Sequence, residues 1–360
     1  MLHAVIMAGG SGKRFWPLSR RTRPKQVLPI AGPRPMIAET LLRLEGLVPI
    51  ERSYIVTHES QVGPILSGLG VGPPPRVVAE PYGRDTAACI GLAALHVRRA
   101  DPDATMLVMP ADQVIRPVER FQEVMRAAVE VVGKEDALVT FGIKPTYPAT
   151  GYGYIHRGER LAEVGGIPVH AVHRFREKPA RAVAEDYLAS GEYYWNSGIF
   201  CWRAATILDC LRRFTPQLHA ALERIAGAMA TPNEATVLRE AYESIEKISI
   251  DYAVMEKAEA IRVVEADFEW RDVGSWLSVA LLRRGEADAH GNVLVGRCET
   301  VAASDSLVIG EPDHLIGVIG LDDVIVVHTP DATLVCSKSR AEEVKQLVDI
   351  LEKKALDQYL

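Results

Sequence analysis

Through its first 145 residues the sequence alternates between short, almost wholly apolar runs and longer amphipathic stretches. That alternation leaves few folds open. The apolar runs are HAVIMA (3–8), SYIVTH (53–58), RVVAEP (76–81), TMLVMPAD (105–112) and ALVTFGI (137–143). Between them lie MIAETLLRLEGL, DTAACIGLAALHVRRA and VERFQEVMRAAVEVVG, which read as amphipathic helices. Strands that are apolar on both faces belong in a mostly parallel sheet with helices on both sides. The expected class is therefore α/β, doubly wound, with ligands beyond the carboxyl ends of the strands. The glycine loop after the first run and Asp112 at the end of the fourth both fall at that edge.

From about residue 145 the pattern becomes mixed. GYGYIHRG and VHAVHRFREKP precede a helix from Ala180 to Ser190, then YYWNSGIFCW, then helices to about residue 259. IRVVEADFEWRDVGSW brings a strand and a tight turn back towards the site. After about residue 285, Val295, Val301 and Leu307 recur every six residues with turn formers between them. This recurrence suits the coils of a β-helix, and a two-sheet β-structure remains open beside it. From Ala341, Val344, Leu347, Val348 and Leu351 stand at helical spacing, so an amphipathic helix is expected to pack on the β-region or on a second subunit.

The chain has 360 residues, enough for roughly two domains of ~150 residues. A net charge of −6 argues against a general nucleic-acid binder, which needs a basic surface. The five cysteines are widely spaced with no C-x-x-C pair, so neither a zinc site nor a disulfide framework is indicated. The amino terminus lacks a basic leader and reads as a strand, and no run reaches the ~18 apolar residues of a membrane span. A cytoplasmic protein without membrane contact is expected.

Residues 8–17 read AGGSGKRFWP. The pattern G-x-x-x-x-G-K-[ST] fails, because Met7 stands where its first glycine belongs and Arg14 where its hydroxyl belongs. The dinucleotide pattern G-x-G-x-x-G meets Phe15 at its third glycine, and Pro17 and Pro24 interrupt the helix it requires. What remains is a long loop in which Gly9, Gly10 and Gly12 let the backbone close on an anion. Lys13, Arg14, Arg23 and Lys25 add four charges, which suits a triphosphate or a departing pyrophosphate.

The motifs GGSGKRFWPLSR, RPKQ, EPYGRDTAACIG, PADQ, TGYGYI, REKP, WNSGIF and WRDVGSW follow in order from residue 3 to about 280. In them the sequence resembles the sugar-nucleotide pyrophosphorylases, and among these the branch that joins GTP to mannose 1-phosphate. The likeness continues more loosely through VIVVHTPDATLVCSKSRAEEVKQLV. It implies a Rossmann-like nucleotidyltransferase domain of GT-A type over 1–284, with a mostly parallel mixed sheet. A short left-handed β-helix and terminal helix over 285–360 would follow, and the molecule would be a homodimer. The implied reaction forms GDP-mannose and pyrophosphate with Mg²⁺. Another sugar-1-phosphate nucleotidyltransferase, joining glucose 1-phosphate with UTP or dTTP, or a non-catalytic sugar-nucleotide-binding regulatory subunit, are the alternatives.

In this chemistry the sugar phosphate is already an anion, so catalysis rests on positioning and charge neutralisation, not on a general base. The resemblance places Arg14, Lys25 and Lys178 as catalytic cations. Ala8, Gly9, Gly10, Gly12 and Lys13 would meet the nucleotide, with Glu80, Arg84 and Thr86 at its base and ribose. Asp112 and Asp272 match the metal-binding aspartates, with Asp112 also near the nucleotide and Asp272 near the sugar phosphate. Taken alone, Asp112 also suits a helix cap or turn, and Asp272 a turn beside Gly274. Gly153, Glu177, Lys178 and Asn196 would receive the sugar phosphate. Gln113 departs from the family's usual His, and Asp85 and Ala88 from its usual Asn and Pro. His170 and His173 face opposite sides of a strand and read as structural.

Overall fold

In the computed structural model, which describes residues 1–360 apart from Ser11 and Val71, four parallel strands begin a large sheet. They are β1 (Leu2–Met7), β2 (Ser53–His58), β3 (Arg76–Glu80) and β4 (Thr105–Pro110), in the order β3-β2-β1-β4. Helices α1 (Met36–Leu42), α2 (Val62–Gly68), α3 (Asp85–Ala100) and α4 (Val118–Lys134) connect or follow them. Alternate strand residues serve opposite cores. Val5, Val56 and Val108 pack with Ile90 and Ala94 of α3, whereas Ile6, Ile55 and Leu107 pack with Ile37 of α1 and Phe121 of α4. This two-sided burial is why the runs carry no polar alternation.

β4 ends at Pro110, two residues earlier than its apolar run, and Asp112 lies in the turn before β5 (Gln113–Arg116). The chain then forms β6 (Leu138–Ile143), the hairpin β7 (Tyr154–Val164) and β8 (Ile167–Arg176), α5 (Arg181–Ser190) and β9 (Tyr193–Arg203). Helices α6 (Ala204–Phe214), α7 (Pro216–Ala228) and α8 (Glu234–Ser244) precede β10 (Ile261–Ala266) and β11 (Glu269–Asp272). The full sheet has nine strands in the order β3-β2-β1-β4-β9-β6-β10-β8-β7, with β9 antiparallel to both β4 and β6. β11 pairs with β5 instead, antiparallel, in a separate two-stranded sheet over the cleft.

After α9 (Trp276–Leu282) come β12 (Val293–Val295), β13 (Cys298–Val301), β14 (Leu307–Ile309), β15 (Ile316–Ile319), β16 (Val324–Thr329) and β17 (Ala332–Ser337). β12, β14 and β16 stack in parallel, as do β13 and β15, which is a β-helix and not two antiparallel sheets. Leu307 lies against Ile325 and Cys298 against Ile316, so one coil spans three six-residue sides. The recurrence does not mark inward positions throughout: Leu307 is fully buried, but Val301 is 60% exposed. α10 (Val344–Lys353) closes this region. Its Val344 and Val348 share one apolar core with Val293, Leu307 and Val327 of the coils and with Phe15, Trp16 and Trp276 of the first region. Among the described residues no helix is long and apolar enough to cross a membrane.

Candidate active site

At the carboxyl end of β1 the chain is tied back to the body by its carbonyls. The Thr57 hydroxyl donates to the Ala8 carbonyl (3.0 Å), Gln26 Nε2 to Gly9 (2.7 Å) and Gln61 Nε2 to Gly10 (3.1 Å). In a trans peptide the following N–H points the opposite way, so the N–H groups of Gly9 and Gly10 point away from Thr57 and Gln26. Gly12 has φ +60°, and a Cβ there would sit 2.7 Å from the Lys25 Cβ and 2.8 Å from the Ser19 hydroxyl. Only glycine fits this close approach of the loop to the Lys25 turn.

The loop cations divide into two groups. Lys25 is buried, lies 5.1 Å over the Phe15 ring and holds Asp112 Oδ2 at 2.7 Å. Lys13 reaches away to Asp349 (2.8 Å) and Glu352 (2.7 Å) of α10. Burial would depress Lys13, but these carboxylates outweigh it and raise the ammonium above its ordinary range. Arg14 donates to Glu342 at 2.7 Å, and Arg23 is exposed. The terminal segment therefore supplies carboxylates to Lys13 and Arg14. These contacts link residues more than three hundred positions apart, so spacing carried no signal of them.

Asp112 is held by its neighbours. Ala111 donates to the Met7 carbonyl (3.0 Å), and the Thr40 hydroxyl donates to the Ala111 carbonyl (3.3 Å). The buried Arg43 donates to the Gln113 carbonyl (2.9 Å), and burial pulls its guanidinium down to about 10. The Gln113 side chain donates to the Ser197 carbonyl at 2.5 Å, so this departure from the family pattern braces the turn. Across the β5–β11 ladder Asp272 pairs with Gln113, which sets it beside Asp112. Burial, and then the Asp112 charge, push the Asp272 carboxyl up to about 6 against the pull of Lys25 and Arg14.

On the far side, Gly153 accepts from the Asn196 N–H at 2.8 Å, and a Cβ at Gly153 would collide with the Glu177 carboxylate. Glu177 Oε1 pairs with Lys178 Nζ at 3.0 Å, and Lys178 has φ +43°, a strained position for a residue with a side chain. Asn196 is buried with Oδ1 accepting from the Thr140 hydroxyl (3.1 Å) and the Gly198 N–H (3.2 Å). Its Nδ2 donates to Asp251 at 3.0 Å. A carboxamide can both donate and accept, but the oxygen of Asn196 is already occupied by the protein, which leaves its NH₂ group as the part able to meet a ligand. Asp251 was not singled out in the sequence, where SIDYAVMEK reads only as a helix between larger motifs.

Glu80, Arg84 and Thr86 serve the walls of this cleft. Buried Glu80 accepts from the Tyr242 hydroxyl (3.1 Å), and burial pushes its carboxyl up to about 7 against that bond. Arg84 donates to the Tyr242 (2.7 Å) and Glu243 (3.0 Å) carbonyls in the last turn of α8. The Thr86 hydroxyl accepts from the Ile250 N–H at 2.8 Å. All three side chains make protein contacts that dock α8 and the segment after it. His170 is buried with Nδ1 3.3 Å from the Gly158 carbonyl, and His173 is exposed. Among the described residues no group of three or more His, Cys, Asp or Glu side chains forms a metal cage.

Residues 3–284 match the family described as nucleotidyl transferase, and residues 296–351 match the MannoseP isomerase/GMP-like beta-helix domain. The chain is 41% identical over 362 residues to a mannose-1-phosphate guanylyltransferase of Klebsiella pneumoniae, covering 100% of this chain and 76% of the relative. It is 42% identical over 348 residues to the xanthan biosynthesis protein XanB of Xanthomonas campestris pv. campestris (strain B100), covering 96% and 72%. A crystal structure described as mannose-1-phosphate geranyltransferase, from Thermus thermophilus, superposes with a TM-score of 0.86 at 35% identity, covering 98% of this chain and 99% of that one. With one family accounting for residues 3–284 and such likeness running through the β-helix as well, this chain belongs to the nucleotidyl transferases.

Proposed function

We propose that the protein transfers the guanylyl group of GTP to mannose 1-phosphate, forming GDP-mannose and pyrophosphate. The observation that carries this reading is the ion pair of buried Lys25 with half-buried Asp112, which stands between the glycine loop and Asp272. It concentrates fixed charge where two polyanions would meet. An oxygen of the sugar phosphate attacks the α-phosphorus, the bond to the bridging oxygen breaks, and its electron pair leaves with pyrophosphate. The attacking oxygen carries no proton at neutral pH, which suits a site whose cations are Lys and Arg.

The N–H groups of Gly9 and Gly10 cradle phosphate oxygens, while Lys25 and Arg14 receive charge on the leaving group. Lys178 meets the sugar phosphate, and Glu177, Gly153 and the remaining Asn196 N–H meet sugar hydroxyls. Glu80, Arg84 and Thr86 shape the base and ribose end through the backbone they hold. Asp112 and Asp272 would hold Mg²⁺. Their fit rests on two carboxylates close enough to raise Asp272, a repulsion that a divalent cation relieves. When bound, the ion neutralises phosphate charge. A cytoplasmic homodimer joined through the C-terminal region belongs to the same reading, and light scattering that gives a clean monomer refutes the dimer.

The direct test incubates the protein with each of the four common NTPs and several sugar 1-phosphates while pyrophosphate release is followed. GTP with mannose 1-phosphate is expected to dominate. Preference for glucose 1-phosphate with UTP or dTTP overturns the substrate assignment, and no turnover with any pair favours a binding subunit.

A further inference from the structure

The segment from Ile248 to Glu256 touches both halves of the cleft. At one end the Ala87 N–H donates to the Ile248 carbonyl (3.2 Å), and the Ile250 N–H donates to the Thr86 hydroxyl (2.8 Å). At the other, Asn196 Nδ2 donates to Asp251 Oδ1 (3.0 Å), and the Glu177 N–H donates to Glu256 Oε1 (3.1 Å). Between these ends Asp251–Met255 forms a π-helical turn, a rare conformation that recurs at functional sites.

The orientation of Asn196 is forced. Its oxygen already accepts from Thr140 and Gly198, so a flipped carboxamide would set its NH₂ group against the Gly198 N–H donor. The NH₂ group must therefore lie on the side of Asp251, away from Thr140 and Gly198. Asp251 takes one of its hydrogens, and that bond fixes the plane in which the other is presented. Lys178 and Glu177 are the charged groups that act on Asp251 from the sugar side: burial and the Glu177 charge push its carboxyl up to about 7, and Lys178 opposes them.

We propose that Asp251 is a positioning residue of the sugar-phosphate subsite, acting through the Asn196 carboxamide so that its remaining N–H meets a sugar hydroxyl. This rests on reading the protein as a sugar-1-phosphate nucleotidyltransferase. Without Asp251 the amide hydrogen loses its partner and the carboxamide can tilt about its last torsion, which weakens sugar binding and leaves the nucleotide side intact. An asparagine at this position retains an acceptor oxygen for the bond, whereas alanine does not.

The experiment measures steady-state kinetics with mannose 1-phosphate and GTP for the wild type, Asp251→Asn, Asp251→Ala, Asn196→Ala and the double variant Asp251→Ala/Asn196→Ala, each with a thermal melt. Asp251→Asn is expected within about threefold of wild type in every constant. Asp251→Ala is expected to raise KM for the sugar phosphate ~10–100-fold while KM for GTP moves less than twofold, in line with the loss of a buried hydrogen bond. The double variant is expected to be no worse than Asn196→Ala, the signature of two residues acting as one unit. Additive losses, or equal rises in both KM values, overturn the proposal, as does an Asp251→Ala enzyme that binds the sugar normally. Should Asp251→Ala melt far below wild type, Asp251→Ser, too short to span the bond, takes its place under the same criteria. Wild-type turnover with a normal Asp251→Ala variant refutes this inference alone, whereas a wild type inactive with every sugar 1-phosphate refutes the underlying reading and the inference with it.

Discussion

At the scale of single residues, the charges that make the site useful also make it unstable. Asp272 titrates near 6 in the fold, above the ~3.8 of a free aspartate, because burial and Asp112 both oppose its ionisation. With a raised carboxyl the folded state holds its proton longer than the unfolded chain. The contribution of Asp272 to stability is therefore greatest at low pH and declines as pH rises from about 4 through about 6. Asp272→Asn is expected to stabilise the metal-free protein by ~1–3 kcal/mol at pH 8 and by almost nothing at pH 4, as melting curves at the two pH values would show. Asp112→Ala and Asp272→Ala are each expected to lower kcat by at least ~100-fold, and near-normal turnover in both would end the metal assignment. Asp112, Asp272 and Lys25 were legible in the sequence because each stands in a short contiguous motif. Asp251 was not, since its partners Asn196 and Glu177 come from β9 and from the loop after β8, and only the folded sheet brings them together.

At the scale of elements, two glycines decide how closely backbone and side chains converge. Gly12→Ala must bear a left-handed φ costing roughly 1–2 kcal/mol and a collision with Lys25. It is expected to cut kcat/KM for the nucleotide at least ~10-fold, since it displaces the loop and the ammonium together. Gly153→Ala displaces Glu177 instead. There the rise, of about the same size, is expected in KM for the sugar 1-phosphate with KM for GTP unchanged, a split that steady-state kinetics would detect. The strands of the parallel half could be read almost to the residue, because two-sided burial leaves an unmistakable apolar run. The mixed half was less clear: β7 and β8, the last two strands at one side of the sheet, carry arginines and histidines where burial no longer dictates composition. In the β-helix the six-residue recurrence pointed to the right architecture, although Val301 faces solvent.

At the scale of the whole molecule, the β-helix and the catalytic region share one apolar core, in which Trp276, Leu307 and Val348 meet. Val348→Asp buries a carboxylate in that core and is expected to cost at least ~3 kcal/mol. The transition is expected to stay single, with tryptophan fluorescence and circular dichroism melting together, because the two regions share that core. Separate melting of the two probes would show that the regions are independent. The carboxylates that α10 and the residues before it present to Lys13 and Arg14 make the resting loop resemble an ion-exchange resin already loaded with counter-ions. On the proposed assignment of Lys13 and Arg14 to the nucleotide, an arriving triphosphate would exchange one set of anions for another and would not land on bare charge. Added salt loosens the resident carboxylates and the incoming phosphate alike, so the two effects partly cancel. The apparent affinity for GTP is accordingly expected to fall less steeply with sodium chloride in the wild type than in a Glu342→Gln/Asp349→Asn/Glu352→Gln variant. On that reading the tail would give the enzyme a measure of indifference to the ionic strength around it.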